Sequence, residues 1–305
     1  MKRRALLILL VSFLAACAPA VEQPVVGYVD LSNRQSLPTP ANMGIVPLRV
    51  AVAAVISPQG TIESYRPLLD YLSERLNRPV ELVQRRTYME INDLVEKGEV
   101  DLAFVCTSAY IVGYDHFGMD LFVAPQVDGE TVYYSLLIVP SDSNADGIED
   151  LRGAEFAFTD PISLSGRMYP TWLVQQLATV PEDFFAGIFF TYSHDKAIEA
   201  VANGLADGAA VDSLVYDYAL ARNPELGLKV RVIHRSPPFG IPPVVVSPNL
   251  RPQLKAELQN LLLSMTDDAQ GRVALAAIGV EQFVLLQDAA YNEVRSLLGN
   301  MYQPR

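Results

Sequence analysis

Residues 48–72 read LRVAVAAVISPQGTIESYRPLLDYL, and this stretch shows how the folded part of the chain is built. Its first eight residues are almost all apolar, as in a buried β-strand, whereas the apolar residues of 61–77 recur at helical spacing. A second strand is predicted at 80–83, a helix near 88–97 and a third strand at 101–105. Strands that alternate with helices predict an α/β fold with a mostly parallel sheet.

The same alternation restarts after a polar segment at 141–147. Further elements are predicted as strands at 154–158, 187–191, 208–212 and 229–234, and as helices at 164–178, 194–203 and 213–222. A Pro-rich passage follows, and the tail at 251–299 is predicted to be mainly helical. We therefore expect two lobes, the second inserted in the first, joined by crossings near 139–141 and 235–243. The expected division is lobe 1 at 47–139, lobe 2 at 140–236, and a return into lobe 1 with the C-terminal helices at 237–305.

Composition excludes several classes of function. The chain has 305 residues, half of them hydrophobic and 19% charged, which is typical of a globular protein. Its net charge of −12 argues against binding to nucleic acid and against a polybasic membrane surface. An acidic protein can still bind a small anion, because local hydrogen-bond donors decide that binding.

The N-terminus has the pattern of a secretion signal. Lys2, Arg3 and Arg4 precede the apolar run ALLILLVSFLAA, which is too short to span a membrane comfortably. The run ends in Leu-Ala-Ala-Cys, which resembles the lipobox of bacterial lipoproteins, so residues 1–16 are predicted to be removed and Cys17 to be lipidated. An ordinary signal peptide with an incidental cysteine is the alternative.

The lipoprotein hypothesis places the mature protein outside the cytoplasmic membrane, attached to the membrane through its lipid. Residues 17–46 contain several prolines and lack periodicity, so we interpret them as a tether. Cys106 is then the one cysteine left besides the lipidated residue, which predicts no intramolecular disulfide and a buried thiol.

Small polar residues follow five of the predicted strands. In open α/β sheets, ligands bind beyond the carboxyl ends of the strands. The polar residues at these ends are Ser57, Thr61 and Tyr65; Thr107, Ser108 and Tyr110; Thr159, Ser163, Ser165 and Gly166; Thr191, Tyr192, Ser193 and His194; and Asp212. Each is compatible with a simpler role as a helix cap or an exposed side chain. Together they favour a site in which hydroxyl and N–H groups hold an anion, with almost no lysine or arginine.

Four stretches, DPISLSGRMYP, TYSHDKAIEAVANGLADGAAVD, GEVDLAF and residues 48–72, resemble the phosphate/phosphite/phosphonate substrate-binding proteins of ABC transporters, the PhnD-like group. The resemblance covers nearly all of residues 47–300. It implies a type 2 periplasmic-binding-protein fold, with two lobes on a two-stranded hinge that close over the ligand. It also implies that a phosphorus oxyanion is bound by a tyrosine of the opening loop, a second tyrosine, the serine turn, a histidine and an acidic residue, here Tyr65, Tyr110, Ser163, Ser165, His194 and Asp212.

The chain departs from the family pattern at two places. Leu164 stands where many members carry a hydroxyl, which leaves only the backbone N–H as a donor. The sequence CTSAY adds Thr107 and Ser108 to the rim of the site. The acidic residue has a physical role, because a carboxylate accepts a hydrogen bond from P–OH and repels a fully ionised anion such as sulfate. Asp212 is therefore expected to favour a protonated phosphorus acid.

The resemblance implies delivery of phosphonate, phosphite or phosphate to an ABC permease by a protein expected to be a monomer. No cofactor, metal or catalysis is expected, because no nucleophile elbow, nucleotide loop or metal-ligand spacing is found. A sensory lipoprotein that presents its ligand to a membrane kinase is one alternative. A ferric-binding protein is another, since Tyr133 and Tyr134 are adjacent, but neighbours in a strand point to opposite faces.

Overall fold

The computed structural model describes residues 46–301, so the predicted signal peptide, Cys17 and almost all of the tether lie outside the described residues. The strands are β1 (Leu48–Val52), β2 (Val80–Gln84), β3 (Leu102–Phe104), β4 (Asp120–Gln126), β5 (Val132–Tyr133), β6 (Ser135–Pro140), β7 (Glu155–Phe158), β8 (Gly187–Phe190), β9 (Gly208–Asp212), β10 (Val230–Arg235), β11 (Phe239–Gly240), β12 (Val244–Val246) and β13 (Gln282–Val284).

The helices follow most of the strands, as the sequence predicted. They are α1 (Pro58–Leu76), α2 (Tyr88–Glu96), α3 (Thr107–Phe117), α4 (Tyr169–Gln176), α5 (Pro181–Phe184), α6 (His194–Ala202), α7 (Ser213–Arg222), α8 (Leu226–Lys229), α9 (Pro252–Leu263), α10 (Ala269–Ala277) and α11 (Asn292–Met301). Several begin where the sequence offers a cap or a proline, such as α1 and α9 with a proline in the first turn and α7 and α10 with an aspartate cap. For example, Thr87 and Glu90 form a reciprocal capping box at the start of α2.

Two main sheets organise these elements. The six-stranded sheet has the order β13-β4-β12-β3-β1-β2, and the five-stranded sheet has the order β10-β6-β9-β7-β8. Each sheet with the helices that follow its strands is called a unit. The first strands of each unit pair in parallel: β1 pairs with β2 and β3, and β7 pairs with β8 and β9. Strands that enter a sheet from the other one pair antiparallel, as β12 does with β3 and β4 and β6 does with β9. The α/β fold is confirmed, with mixed sheets.

The two passages of the chain between the sheets pair with each other. β5 and β11 form a separate antiparallel pair, with Tyr133 opposite Phe239. The first passage lies earlier than the predicted crossing at 139–141, because β6 belongs entirely to the five-stranded sheet. The apolar run at 131–139 appears continuous in sequence, but it is interrupted at Tyr134, whose backbone bonds with Ser213 instead of continuing the strand.

The buried apolar side chains form four clusters within the described residues. One covers the outer face of the six-stranded sheet, and two cover the faces of the five-stranded sheet. The fourth combines residues from both units, including Tyr88, Cys106, Tyr133, Leu164 and Phe239. Cys106 and Leu164 of this last cluster are sequence neighbours of the predicted polar residues Thr107, Ser163 and Ser165, so the candidate site lies beside this core, between the two sheets.

Hydrogen bonds also join elements that follow strands of different sheets. The Ser57 backbone N–H donates to both carboxylate oxygens of Asp195, at 2.9 and 3.0 Å. The His194 N–H donates to the Val55 carbonyl at 2.9 Å. The starts of α1 and α6 are thus held together across the two sheets.

Candidate functional site

The serine turn connects β7 to α4. Ser163 caps the turn, because its Oγ accepts a hydrogen bond from the Gly166 N–H at 3.1 Å. Residues 164–168 then form one π-helical turn, a rare geometry that occurs frequently at functional sites. Gly166 is required for close packing: a Cβ there would lie 1.8 Å from Thr159 Oγ1. The hydroxyl of Ser163 and the N–H of Gly166 therefore hold the shape of the turn.

Asp160 fixes this turn against the six-stranded sheet. Its carboxylate accepts the Ile162 N–H at 2.9 Å within the turn and the Tyr88 N–H at 3.0 Å at the start of α2. Burial raises the pKa of Asp160, while the two N–H donors lower it. The bond to Tyr88 brings the end of β2 to the serine turn, although these residues are far apart in sequence.

The start of α3 contributes two hydroxyl residues that the sequence placed on the rim. Thr107 Oγ1 donates to the Gly240 carbonyl at 2.8 Å, and Ser108 Oγ donates to the Ile162 carbonyl. Both side chains are fully buried, and each joins α3 to another part of the site. Cys106, the residue before α3, makes no side-chain cap, so the first N–H groups of the helix have no partner from that side chain.

Five buried hydroxyl groups have no hydrogen-bond partner among the described residues: Tyr88 Oη, Tyr133 Oη, Thr159 Oγ1, Ser165 Oγ and Thr171 Oγ1. Three of them are neighbours, because Tyr133 lies near both Tyr88 and Ser165. Burial raises the pKa of Tyr133 well above its ordinary value; nearby Cys106 and Asp212 raise it further, and the hydroxyls of Thr107 and Ser165 lower it. These hydroxyls therefore surround Tyr133, although none has hydrogen-bond geometry with its Oη. An unpaired buried hydroxyl costs about 1–3 kcal/mol, so these three hydroxyls lower the stability of the protein alone.

Tyr88 belongs to the same group. Burial raises the pKa of Tyr88 well above its ordinary value, and Cys106, Asp160, Asp212 and Tyr133 are the charged or ionisable neighbours that raise it further. We call the buried hydroxyl residues around the serine turn the hydroxyl cluster; its members are Tyr88, Thr107, Ser108, Tyr133, Ser163 and Ser165.

Tyr88 and Tyr133 are not among the ligand-binding residues predicted from the sequence. Tyr88 follows β2, so the rule about strand ends would have found it had it been applied to that strand as well. Tyr133 and Tyr134 are adjacent in the sequence, and neighbours in a strand point to opposite faces, so local pattern could not tell which of them faces the site. The structure selects Tyr133, since the Tyr134 ring lies under the Arg235 guanidinium at 3.6 Å.

His194 is buried, and its tautomer follows from its contacts. Its Nδ1 accepts the Asp212 backbone N–H at 3.0 Å, so the proton of the neutral ring lies on Nε2. Burial lowers the pKa of His194 to about 3, which keeps the ring neutral at physiological pH. Nε2 has no hydrogen-bond acceptor among the described residues and can therefore donate to a ligand.

Asp212 is both a helix cap and a buried acid. Its Oδ1 accepts the N–H groups of Leu214 and Val215 at 2.8 and 3.4 Å, so the simpler prediction that it caps α7 is confirmed. Burial raises the pKa of Asp212 to about 7, against the effect of these two donors. Its Oδ2 has no donor within residues 46–301, so one oxygen of a readily protonated carboxyl is available.

The two predicted tyrosines lie in different places. Tyr65 lies on α1 beside a cavity, with its ring edge-on to Phe104 at 5.1 Å. Tyr110 lies away from that cavity, because its hydroxyl donates to Asp288 at 2.7 Å and its ring packs against Tyr291. The structure therefore directs the Tyr110 hydroxyl to the C-terminal region of the chain, and Tyr88 occupies the position beside the serine turn.

A cavity of about 140 Å³ adjoins the hydroxyl cluster, and we call it the apolar cavity. Its walls come from both units and include Tyr65, Val105, Asp212, Leu214, Val215 and Pro242. Leu164 lies outside it, fully buried in the central core. Asp212 faces the cavity and is also a neighbour of Tyr88 and Tyr133, so it stands at the boundary between the two.

The described part of the cluster and of the cavity contains no lysine or arginine. Arg167, in the serine turn, is engaged elsewhere: it donates to Glu182 at 3.0 Å and its guanidinium lies over the Phe158 ring. Within the described residues, no group of three or more His, Cys, Asp or Glu side chains could hold a metal ion. Among residues 46–301, no helix combines the length and the apolar character needed to cross a membrane.

Comparisons with known proteins agree with this architecture. The chain is 34% identical over 163 residues to the phosphate-import protein PhnD of Mycolicibacterium smegmatis, a match over 50% of this chain and 51% of that protein. It thus spans about half the length of that relative. It is 23% identical over 255 residues to the phosphonates-binding periplasmic protein of Escherichia coli, covering 82% of this chain and 75% of the other.

Solved structures of low sequence identity share the fold. A binding protein component of an ABC phosphonate transporter from Pseudomonas aeruginosa superposes with a TM-score of 0.78 at 24% identity, over 83% of this chain and 86% of that one. PhnD1 from Prochlorococcus marinus, in complex with methylphosphonate, superposes with a TM-score of 0.74 at 19% identity, over 83% and 97%. The family model for the periplasmic phosphonate substrate-binding proteins of ABC transporters matches residues 50–291, and the chain belongs to this family.

Proposed function

We propose that this protein binds a singly substituted or unsubstituted phosphorus oxyanion in the hydroxyl cluster, outside the cytoplasmic membrane, and delivers it to an ABC permease. The observation that carries the proposal is the convergence of three buried hydroxyls, Tyr88 Oη, Tyr133 Oη and Ser165 Oγ, which have neither a hydrogen-bond partner nor a lysine or arginine beside them in the described part of the chain. An oxyanion would accept all three hydrogen bonds at once, and a charge-assisted bond is about twice as strong as a neutral one.

Backbone groups complete the anion site. The serine turn and α3 both begin beside the cluster, and the free N–H groups of a helix N-terminus favour negative charge. His194 adds a neutral donor through Nε2, because Asp212 N–H occupies Nδ1. Neutral donors suffice here, which explains how an acidic protein binds an anion.

Asp212 supplies selectivity through a shared proton. Its free oxygen accepts a hydrogen bond from P–OH when the carboxyl is ionised, and a protonated Asp212 donates to an ionised phosphoryl oxygen. The pKa of Asp212, raised by burial to about 7, makes both arrangements accessible near neutral pH. Either way the pair of acid and ligand holds one proton. Sulfate carries no proton at neutral pH, so it can bind only at the cost of protonating Asp212.

The lipid anchor and the permease remain predictions from the sequence, as does the monomeric state. The sensory alternative is distinguished by the recipient of the ligand, a membrane kinase instead of a permease. Ferric binding is disfavoured, since the Arg235 guanidinium lies over Tyr134 and would repel a cation there. His194 is not placed to act as a general base through Nδ1, because this atom accepts the Asp212 backbone N–H.

A ligand screen tests the proposal. We expect phosphate, phosphite or a phosphonate to raise the free energy of unfolding of the purified protein, by about 2.7 kcal/mol at a concentration 100 times its Kd. Sulfate at the same concentration should have little effect. Ser165→Ala should weaken every phosphorus anion, whereas Ser247→Ala, a buried serine whose Oγ accepts the Asn249 N–H, serves as the matched control. Equal stabilisation by sulfate and by all phosphorus anions would contradict the proposal.

Fractionation of cells tests the anchor. Cys17→Ser should leave the protein unprocessed or release it from the membrane fraction, without any fatty-acid label. Cys106→Ser is the control, because the Cys106 thiol is buried in the folded part and does not belong to the predicted lipobox sequence. Lipid labelling that persists in Cys17→Ser would show that the anchor was assigned wrongly.

A further inference from the structure

The apolar cavity beside the hydroxyl cluster has room for part of a ligand besides its phosphoryl group. It measures about 140 Å³, whereas one water molecule needs roughly 10–15 Å³ on the same measure. A phosphoryl group bound to the hydroxyls of Tyr88, Tyr133 and Ser165 would occupy the polar cluster itself. The cavity therefore has room for several further non-hydrogen atoms of a ligand.

The apolar cavity lies next to the place where the phosphoryl group would bind. Asp212 faces the cavity and is also a neighbour of Tyr88 and Tyr133. Val105 lines the cavity and immediately precedes Cys106, whose thiol lies beside the same tyrosines. A substituent on phosphorus that points away from the three free hydroxyls would enter this space.

The walls are chemically suited to hydrocarbon. Val105, Leu214, Val215 and Pro242 contribute apolar surface from both units. The polar groups at the far side are partly engaged with each other, since the hydroxyls of Ser64 and Tyr218 lie 2.7 Å apart in a hydrogen bond. The hydroxyl of Tyr65 adds one neutral polar group.

Charge in the cavity is limited to one carboxyl. Among the described residues that line it, Asp212 alone carries a carboxyl or amino group. Its Oδ1 accepts the N–H groups of Leu214 and Val215, and the proposed function assigns Oδ2 to the phosphoryl proton. No second carboxylate would then neutralise an ammonium group, and an unpaired buried charge is strongly disfavoured.

Resting on the proposed function, we propose that the apolar cavity receives the organic substituent of a phosphonate and selects uncharged alkyl phosphonates over aminoalkyl phosphonates. Methyl-, ethyl- and propylphosphonate place one, two and three carbons in the cavity. Each buried CH₂ contributes about 0.8 kcal/mol, so affinity should rise roughly fourfold per carbon until the cavity is filled. In 2-aminoethylphosphonate the ammonium group loses its water without gaining a partner.

Isothermal titration of the purified protein with phosphite, these three alkyl phosphonates and 2-aminoethylphosphonate tests this. We expect ethylphosphonate to bind about tenfold or more tightly than 2-aminoethylphosphonate, and propylphosphonate more tightly than phosphite. Equal affinity for the ethyl and aminoethyl compounds, or phosphite as tight as propylphosphonate, would overturn the inference while leaving the proposed function standing. A complete failure of all five anions to bind would overturn both.

A second experiment adds the charge that the cavity lacks. Leu214→Glu places a carboxylate on the cavity wall without changing the backbone N–H that bonds Asp212. It should shift the ratio of affinities toward 2-aminoethylphosphonate and away from ethylphosphonate. Leu228→Glu is the matched control, since Leu228 is 78% exposed and lies outside the cavity. A ratio that changes equally in both variants, or in neither, would refute the placement of the substituent. The wild-type titrations decide the inference independently, if Leu214→Glu does not fold.

Discussion

The hydroxyl cluster and the apolar cavity lie side by side between the same two sheets, but they treat polar atoms in opposite ways. In the cluster, the buried hydroxyls of Tyr88, Tyr133 and Ser165 have no hydrogen-bond partner among residues 46–301. In the cavity, polar atoms are few, and Ser64 and Tyr218 bond to each other. One region keeps hydrogen-bonding capacity unused in the folded protein, and the other is lined mainly by hydrocarbon.

This difference shows how the protein would distinguish the two ends of a ligand. Unpaired hydroxyls lower the stability of the protein alone, and they gain their bonds when an oxyanion binds. Apolar walls contain no unpaired hydrogen-bonding groups, so they do not lower the stability of the protein alone in this way. They favour binding of a substituent in proportion to its apolar area. Asp212 belongs to both regions. Substitutions of Asp212 should therefore have the largest effects on stability and on ligand selectivity.

The first and largest effect is expected for Asp212→Asn. Burial raises the pKa of Asp212 from 3.8 to about 7, so its contribution to the free energy of unfolding is present below pH 3.8 and is lost as the pH rises through about 7. Above pH 7 the variant should therefore be more stable than wild type, by as much as about 4 kcal/mol. It should also discriminate less between phosphite and sulfate. Urea unfolding and titration calorimetry at pH 5 and pH 8 measure both.

Asp268→Asn is the matched control for that comparison. Asp268 also caps a helix, with Oδ1 accepting the Gly271 N–H at 2.7 Å, but this bond lowers the pKa of its exposed carboxyl. Its replacement should not stabilise the protein at high pH. If Asp212→Asn changes neither stability nor the sulfate ratio, Asp212 acts only as a helix cap and the two regions do not share it.

The second effect concerns His194, the neutral donor of the cluster. Burial lowers the pKa of His194 to about 3. Its contribution to the free energy of unfolding is therefore present above pH 6.5, and it is lost as the pH falls below 6.5, by about 1.4 kcal/mol per pH unit. Between about pH 4 and 6.5, the free energy of unfolding that His194 contributes rises with pH, whereas the one that Asp212 contributes falls. His194→Gln should therefore become less stable as the pH rises across this range, whereas Asp212→Asn should become more stable. His116→Gln, at an exposed position, should keep the wild-type profile in urea unfolding.

The third effect tests whether the unpartnered hydroxyls are reserved for a ligand. Tyr88→Phe removes a buried, unpaired hydroxyl, so the protein alone should be unchanged or more stable, while phosphite binding should weaken by about 1–3 kcal/mol. Tyr216→Phe is the control, because Tyr216 is a buried tyrosine in the core of the other unit. Thermal unfolding and calorimetry on both variants separate the two effects. A loss of stability without a loss of affinity would mean that Tyr88 is only a core residue.

The smallest effect is expected in the cavity. Leu214→Ala enlarges the cavity and removes apolar contact area, which should weaken propylphosphonate by about 1 kcal/mol and leave phosphite nearly unchanged. Leu228→Ala, at an exposed position, should affect neither ligand. Calorimetry at one pH suffices. Equal weakening of phosphite and propylphosphonate by Leu214→Ala would show that the two regions do not bind different ends of the ligand.

Much of the fold was predictable from the sequence, because local signals determine where helices and strands begin and end. The predicted helix at 213–222 is α7, and the predicted strand at 208–212 is β9, with Asp212 as the cap between them. The short strands β4, β12 and β13 were not predicted, since three to seven residues in a polar or Pro-rich context carry little periodicity. The site was predicted in part: the serine turn, His194 and Asp212 lie together, but Tyr110 bonds to Asp288.

The sequence by itself determined the α/β alternation, the polar strand ends and the absence of lysine from them, because these depend on neighbours in the chain. Tertiary structure alone decided which hydroxyls remain free. The Ser163 hydroxyl bonds within its own turn, while the Ser165 hydroxyl, two residues later, has no hydrogen-bond partner within residues 46–301. Tyr88 reaches the turn because its backbone bonds to Asp160 from another sheet. Whether a buried polar group is paired depends on atoms brought together from distant parts of the chain, and periodicity carries no information about those distances.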